Sequence, residues 1–272
     1  MLRPAMLWAV VIGVGLTGAR PAYASVPLTG RAQRMCVPLA PVRAAAARAY
    51  DKRLASLRSR GMLDTDPQIL HRVRRISARV IAQAIALRPV AARWKWEVHT
   101  TSDPQVAAFA MSGGKILIGT HFIEKYQLSD PELAVALGHE IGHVIAEHVR
   151  EQVCAASRLD PPPPGVTRTV ADVIHLMDFD LTVYLRLQPL SRLQEAEADE
   201  IGVELAARSG VAPSAIRSFY GKITRGPKVE SIFNSHGSRK QRRAFVMSLA
   251  AYAATPYRES RREMLPLYAF HQ

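Results

Sequence analysis

The segment LGHEIGHVIAEH, residues 137–148, places two histidines four positions apart, with a glutamate directly after the first. On a helix, positions four apart lie about 40° apart around the axis and about 6 Å apart along it. His139 and His143 therefore present their imidazoles on one face, and zinc takes such nitrogen ligands. Glu140 stands beside the first ligand, where it can act as a general base. The alternative is a helix that is merely rich in histidine, but an accidental H-E-x-x-H is roughly a one-in-a-hundred event at this composition.

A catalytic zinc needs a third protein ligand and one open position. His148 follows His139 by nine residues, which puts it on nearly the opposite side of a continuous helix, so we expect it at the surface or in a second layer. The segment LQEAEADEIG, residues 193–202, offers a better ligand in Glu195. Asp199, one turn later, is then expected to accept the free ring N–H of a liganding histidine. The alternative interpretation of these acidic residues is a solvent-exposed helix face.

Helical patterns dominate the remainder of the chain. Besides the histidine segment, which opens at residue 130, helices are predicted over residues 41–58, 67–87, 170–187, 191–208, 213–222 and 239–252. Asp66 is expected to cap the helix that starts at Pro67.

A small sheet is predicted before the histidine helix. Residues 94–100 and 106–111 have strand character, and Gly113-Gly114 leads into another short apolar run at residues 115–118. Two apolar runs around a Gly-Gly turn predict a hairpin. The predicted fold class is therefore α+β, mostly helical, with a small sheet inserted before the histidine helix.

Residues 1–24 are predicted to be a signal peptide. An apolar run over residues 5–16 is followed by Ala22-Tyr23-Ala24 before Ser25, the small-x-small pattern of a cleavage site. The run is shorter than the ~20 apolar residues of a membrane-spanning helix, which argues against an uncleaved anchor. The expected mature chain, residues 25–272, is one exported, periplasmic domain. It divides into N-terminal helices (25–92), a catalytic core (93–256) and a C-terminal tail (257–272).

The net charge bears on the possible binding partners, and the two cysteines bear on a possible disulfide. The formal net charge is +13, and much of it lies in residues 43–79 and 239–262, where basic and apolar residues alternate as in amphipathic helices. No nucleic-acid recognition motif is present, and an exported protein rarely meets nucleic acid. Two interpretations of these basic residues stay open. They could contact an anionic membrane surface, or they could form a basic face that only keeps the protein soluble. Cys36 and Cys154 could form a disulfide outside the cytosol, but the sequence does not decide whether they meet.

Four stretches of the chain occur together in a known family. The pattern Glu195-x-x-Ala198-Asp199 follows the H-E-x-x-H motif by some 50 residues. The other three stretches are AAFAMSGGKILIGTHFI (107–123), SRLQEAEADEIG (191–202) and SHGSRKQR (235–242). The chain thus resembles the HtpX and CAAX-prenyl-protease family of zinc metallopeptidases, which are gluzincins. Within that family it resembles the soluble periplasmic branch that includes the outer-membrane β-barrel assembly-enhancing protease.

The resemblance implies a zincin-type metallopeptidase domain with one Zn²⁺ per chain. It assigns zinc binding to His139, His143 and Glu195, and the role of general base to Glu140. His236 or Arg242 could stabilise the oxyanion of the reaction. In the periplasmic branch the histidine that matches His236 lies near the metal, which suggests a latch on the fourth zinc position. The alternatives for His236 are a transition-state stabiliser or a surface-loop histidine.

The sequence accordingly predicts an exported zinc endopeptidase that acts on polypeptides, with misfolded envelope proteins as the expected substrates. An extended substrate is expected to add a strand beside the Gly-Gly hairpin. Two other functions stay open: a holdase in which zinc serves structure, and a hydrolase of cell-wall amides. Family positions also differ here, since Ala107 replaces the usual asparagine, and Ser112 and Gly237 replace prolines.

Overall fold

The computed structural model of the chain describes residues 22–223 and 239–269. The helices in these residues are α1 Leu39–Ser59, α2 Pro67–Leu87, α3 Thr120–Lys125, α4 Asp130–Ile145, α5 His148–Leu159, α6 Val170–Phe179, α7 Leu181–Arg208, α8 Pro213–Ile223, α9 Arg239–Tyr252 and α10 Ala254–Ala269. The strands are β1 Ala22–Ser25, β2 Ala32–Met35, β3 Glu97–Thr101, β4 Ala108–Met111 and β5 Lys115–Gly119. The predicted class, mostly helical α+β, is confirmed. Residues 1–21 of the predicted signal peptide lie outside the described residues, whereas residues 22–24 are paired in β1, so cleavage before Ser25 stays a prediction.

Two helices begin where capping chemistry places them. Asp66 accepts hydrogen bonds from the backbone N–H groups of Gln68 and Ile69, so α2 starts at Pro67 as predicted. At the start of α4 the capping residue is Ser129, whose backbone N–H donates to the Glu132 carboxylate at 2.8 Å. These bonds satisfy N–H and carboxylate groups that the first helical turn would otherwise leave unpaired.

Two helices differ from the predicted lengths. The predicted helix over residues 170–187 is broken at Asp180, whose carboxylate accepts the Val183 N–H and thereby caps a new helix, α7. This helix continues through Pro189 to Arg208 and includes the separately predicted helix over residues 191–208. The predicted C-terminal tail, residues 257–272, is helical as far as Ala269, because it lies in α10.

The predicted hairpin is present in a three-stranded sheet. β5 lies in the middle, paired antiparallel with β4 and parallel with β3. The turn between β4 and β5 runs through Gly113 and Gly114, whose φ angles of 88° and 85° favour glycine. β4 is thus an edge strand, and α4 packs beside it. A separate antiparallel pair, β1 and β2, forms a hairpin near the start of the chain.

The centre of the fold is the crossing of α4 and α7. Nearly every residue of α4 is buried, and paired glycines let α7 approach it closely. A Cβ on Gly138 would lie 2.5 Å from the carbonyl oxygen of Gly202, and a Cβ on Gly202 would lie 2.5 Å from the backbone nitrogen of His139. Because no side chain separates the two backbones, the residues of α7 reach the histidines of α4.

A disulfide joins the N-terminal hairpin to the helix that follows α4. Cys36, just after β2, is bonded to Cys154 on α5, with their Cα atoms 5.3 Å apart. The pairing that the sequence left open is therefore present. Among the residues that the structure describes, no helix has both the length and the apolar content to cross a membrane.

Candidate metal centre

Three side chains from α4 and α7 converge on one point. The Nε2 atoms of His139 and His143 lie 3.1 Å apart. The Glu195 carboxylate lies beside both, with Oε2 3.5 Å from His139 Nε2 and Oε1 3.6 Å from His143 Nε2. We call these three residues the donor triangle. Among the described residues they are the group of histidine, cysteine and acidic side chains whose spacing suits a metal ion.

The donor triangle fits a tetrahedral metal. Ligand bonds of about 2.0–2.1 Å at tetrahedral angles separate neighbouring donor atoms by about 3.3 Å. The separations of 3.1 Å, 3.5 Å and 3.6 Å bracket that value. In addition, Glu195 Oε2 is buried and has no hydrogen-bond partner within the described residues. A buried carboxylate oxygen of this kind is unfavourable unless a cation satisfies it.

His139 is held from behind by α7 and α8. Its Nδ1 lies 2.8 Å from Asp199 Oδ1, an atom that also accepts the Tyr220 hydroxyl at 2.6 Å. Burial by itself lowers the pKa of His139, but the Asp199 and Glu195 carboxylates raise it well above its ordinary value. Asp199 therefore occupies the position that the sequence suggested, against the ring nitrogen that faces away from the triangle. Tyr220 was not foreseen, because a tyrosine in an amphipathic helix usually signals packing.

His143 differs electrostatically from its neighbour. Burial and the adjacent His139 and His148 rings lower the pKa of His143 well below its usual range. The imidazole is therefore neutral near pH 7, and neutral imidazole is the form that binds a metal.

The side chain of Glu140 extends from α4 to the edge strand β4. Its Oε2 accepts the backbone N–H of Ala110 on β4 at 3.0 Å. Burial raises the pKa of this carboxyl to about 7. A carboxyl group with a pKa near neutrality can both accept and return a proton, which is the property required of a general base.

His148 lies in a second layer behind His143. It is buried, with Nδ1 2.9 Å from His143 Nδ1 and Nε2 3.3 Å from Glu197 Oε2. The expected continuous helix does not form, because α4 ends at Ile145 and Glu147 adopts a left-handed conformation with φ 54°. His148 consequently turns back toward the site, which excludes the surface position.

The break after α4 is stabilised by tertiary contacts. Arg88, just after α2, donates to the Ile145 carbonyl and to the Glu147 carboxylate. Glu147 also accepts a bond from Arg150 at 2.7 Å. Ala146 and Glu147 themselves carry no helix-stop signal, so local sequence could not have shown that His148 faces the site.

Two buried carboxylates and a half-buried arginine form a charge cluster behind His148. The guanidinium of Arg31, in the loop between β1 and β2, binds the carboxylates of Glu151 and Glu197, each through two nitrogens. Burial alone would raise the pKa of Glu197, but the adjacent His148 ring and the Arg31 guanidinium lower it to about 2. Arg31 was not foreseen, because one arginine in a basic N-terminal segment gives no signal that it pairs with distant carboxylates.

Two candidate residues cannot be placed. His236 lies outside the described residues, and so does the side chain of Arg242 on α9. Their proposed roles near the oxyanion stay predictions.

An H-E-x-x-H helix, crossed at glycines by a second helix that supplies a glutamate, defines a metallopeptidase type of site. Residues 70–250 match the sequence profile described as "Peptidase family M48". The match covers more than half of the chain, and the chain belongs to this family. The resemblance found in the sequence is thereby confirmed.

Three characterised relatives show the range of the similarity. The chain is 31% identical to the mitochondrial metalloendopeptidase OMA1 of Arabidopsis thaliana over 54% of its own length and 30% of the relative's. It is 26% identical to the β-barrel assembly-enhancing protease of Yersinia pestis, over 61% of the chain and 35% of the relative. It is 25% identical to the metalloprotease LoiP of Escherichia coli, over 54% of the chain and 59% of the relative. The chain thus spans less than two thirds of each of these relatives.

Proposed function

We propose that this protein is a zinc-dependent endopeptidase. The observation that carries the proposal is the donor triangle of His139, His143 and Glu195, together with Glu140 on the helix that carries the two histidines. Two imidazoles and one carboxylate supply three of the four ligands of a tetrahedral zinc, which is the donor set of catalytic rather than structural zinc sites.

The chain's own residues divide the chemical work. Zinc, when bound, supplies a Lewis acid that polarises the scissile carbonyl. Glu140 takes the proton of the attacking water and returns it to the leaving amine. Asp199 and His148 fix the orientation of the histidine rings through their Nδ1 atoms.

The edge strand β4 provides a site for an extended substrate. Gly119 N–H donates to the Ala107 carbonyl at 2.7 Å, so odd-numbered residues of this strand pair with β5. In an antiparallel ladder the alternate residues then direct their backbone groups away from the partner strand. Ala110 follows this pattern, since its N–H reaches Glu140 rather than β5. A substrate strand that pairs here would be recognised by its backbone more than by its side chains, which suits unfolded polypeptides.

The proposed setting is the periplasm, with misfolded envelope proteins as substrates. Two observations support it: the Cys36–Cys154 disulfide, because such bonds persist in oxidising compartments, and the relative described as a β-barrel assembly-enhancing protease. Contact with an anionic membrane surface is part of the proposal, and the formal net charge supports it: +13 for residues 1–272, and +11 without Arg3 and Arg20 of the predicted signal peptide.

The test is cleavage of unfolded casein by the purified protein, with and without a chelator, together with metal analysis. Zinc-restored cleavage in the wild type and its loss in Glu140→Gln are the expected results. The control is His175→Ala, since His175 is an exposed residue of α6. Intact casein in every wild-type reaction that contains bound zinc would refute the peptidase.

A second candidate function, a holdase, has one observation in its favour. Large apolar side chains are exposed where α6 passes into α7, among them Phe179 at 73% and Leu181 at 68%. Such a surface can bind unfolded chains. The two functions separate in Glu140→Gln: a holdase would still suppress aggregation of a denatured client, whereas a peptidase would lose all effect.

A further inference from the structure

The ring of His143 is held at both ends. Its Nε2 belongs to the donor triangle, and its Nδ1 lies 2.9 Å from Nδ1 of His148. A metal-binding Nε2 must be unprotonated, so the proton of a neutral His143 is on Nδ1 and is donated to His148. His148 can accept it only if its own proton is on Nε2.

Glu197 selects that tautomer of His148. Its Oε2 lies 3.3 Å from His148 Nε2, and a carboxylate there favours an N–H pointing toward it. Glu197 is therefore linked to His143 through one ring, although it does not touch the donor triangle.

Arg31 in turn fixes Glu197. Its Nε and Nη2 donate to the two Glu197 oxygens at 2.6 Å and 2.9 Å. Its Nη1 and Nη2 donate to Glu151 at 2.6 Å and 2.7 Å. One guanidinium thus holds two buried carboxylates, which would repel each other and rotate without it.

The Arg31 loop is firmly joined to the helices around the site. Gln33 on β2 donates to the Ala146 carbonyl at 2.8 Å, at the break between α4 and α5. Gln33 also donates to Glu151, and the disulfide at Cys36 follows three residues later. Arg31 itself lies before residues 70–250, the part that matches the family profile.

We propose that Arg31 is a positioning residue for the metal ligand His143, acting through Glu197 and His148. The N-terminal hairpin then contributes to the geometry of the metal site, in addition to packing against the domain. This inference rests on the proposed metal site and adds a required element from outside the family-matched region.

The experiment measures metal binding in the full chain. Zinc affinity is determined by competition with a chromophoric chelator, and Co²⁺ added alone reports ligand geometry through its visible absorption. Arg31→Met should weaken zinc binding about 10- to 100-fold and change the cobalt spectrum. The matched control is Arg34→Met, an exposed arginine of β2 in the same hairpin, which should bind both metals as the wild type does.

A double variant separates positioning from general loss of structure. His148→Leu removes the intermediate ring, so Arg31→Met should weaken zinc binding no further in that background. His148→Asn, whose side-chain oxygen can accept near the place of Nδ1, should restore part of the affinity. If Arg31→Met does not fold, Glu197→Gln breaks the same link with little change of shape and should weaken zinc binding as well.

Two outcomes would overturn the inference. One is a wild-type zinc affinity in Arg31→Met or, where that variant does not fold, in Glu197→Gln. The other is an equal loss from Arg31→Met with and without His148. Failure of the metal site itself would look different, because the wild type would then bind neither zinc nor cobalt at His139.

Discussion

Gly138 on α4 and Gly202 on α7 face each other with no space for a methyl group, since a Cβ on Gly138 would lie 2.5 Å from the Gly202 carbonyl oxygen. This contact sets the distance between the two helices that carry the donor triangle. The site therefore depends on two residues that have no side chain and take no part in the chemistry.

Gly202→Ala should lower the free energy of unfolding by roughly 1–3 kcal/mol, because the new Cβ would press on the His139 backbone. Zinc affinity should fall with it, since α7 must move away from α4. Urea denaturation measures the first effect and chelator competition the second. Gly221→Ala on α8 is the control, because its added Cβ meets no described atom within 4 Å. Equal stability of the two variants would show that the crossing tolerates a wider spacing.

Glu195→Ala and Glu140→Gln should separate binding from catalysis. The first removes a corner of the donor triangle, so zinc content after dialysis should fall sharply. The second leaves the triangle intact, so zinc should remain while kcat/KM falls by about 100-fold or more. Metal analysis and casein cleavage on the same samples check both. Undiminished zinc in Glu195→Ala would remove this residue from the site.

The stability of the fold should depend on pH through Glu132 at the start of α4. Burial opposes its ionisation, but Lys222, Ser218 and Ser129 lower the pKa of Glu132 to about 2. The folded-state pKa is below the unfolded value, so this stabilisation is complete above about pH 4.5 and is lost as the pH falls toward 2.

Glu132→Gln should therefore cost roughly 1–3 kcal/mol at pH 7 and much less near pH 2.5. Chemical denaturation at several pH values between these limits measures the difference. Glu124→Gln, at an exposed position of α3, is the matched control and should change little. A cost for Glu132→Gln that is independent of pH would mean that its bonds do not require the charge.

The latch hypothesis for His236 makes opposite predictions for two neighbouring substitutions. His236→Ala should raise basal casein cleavage, and Gly237→Pro, which restricts the backbone next to His236, should lower it. Abolished cleavage with zinc retained in His236→Ala would instead assign the residue to transition-state stabilisation. Unchanged rates in both variants would leave it as a surface histidine.

The parts of the site that follow helical periodicity could be predicted from sequence. His139 and His143 share a face because they are four residues apart, and Asp199 follows Glu195 by the same spacing, so each helix delivers its pair together. The structure places all four where those spacings indicated.

The second layer could not be predicted, because it depends on contacts between distant segments. His148 faces His143 because the chain turns at Glu147, where Arg88 binds the end of α4. Arg31 reaches Glu197 across 166 positions of sequence. No local pattern records such contacts, whereas the break at Asp180 did carry a signal, an aspartate suited to a helix N-cap, within an otherwise apolar run.

The order of residues along the chain has a consequence for when the proposed enzyme can act. Arg31, His139 and Glu195 are separated by more than a hundred and then by more than fifty positions, and a ribosome delivers them in that order. While Glu195 is still unsynthesised, two imidazoles cannot complete the donor triangle, and Arg31 has only one of its two carboxylates. Under the proposed function, a chain in synthesis is therefore inert until Glu195 and Glu197 have been added to it.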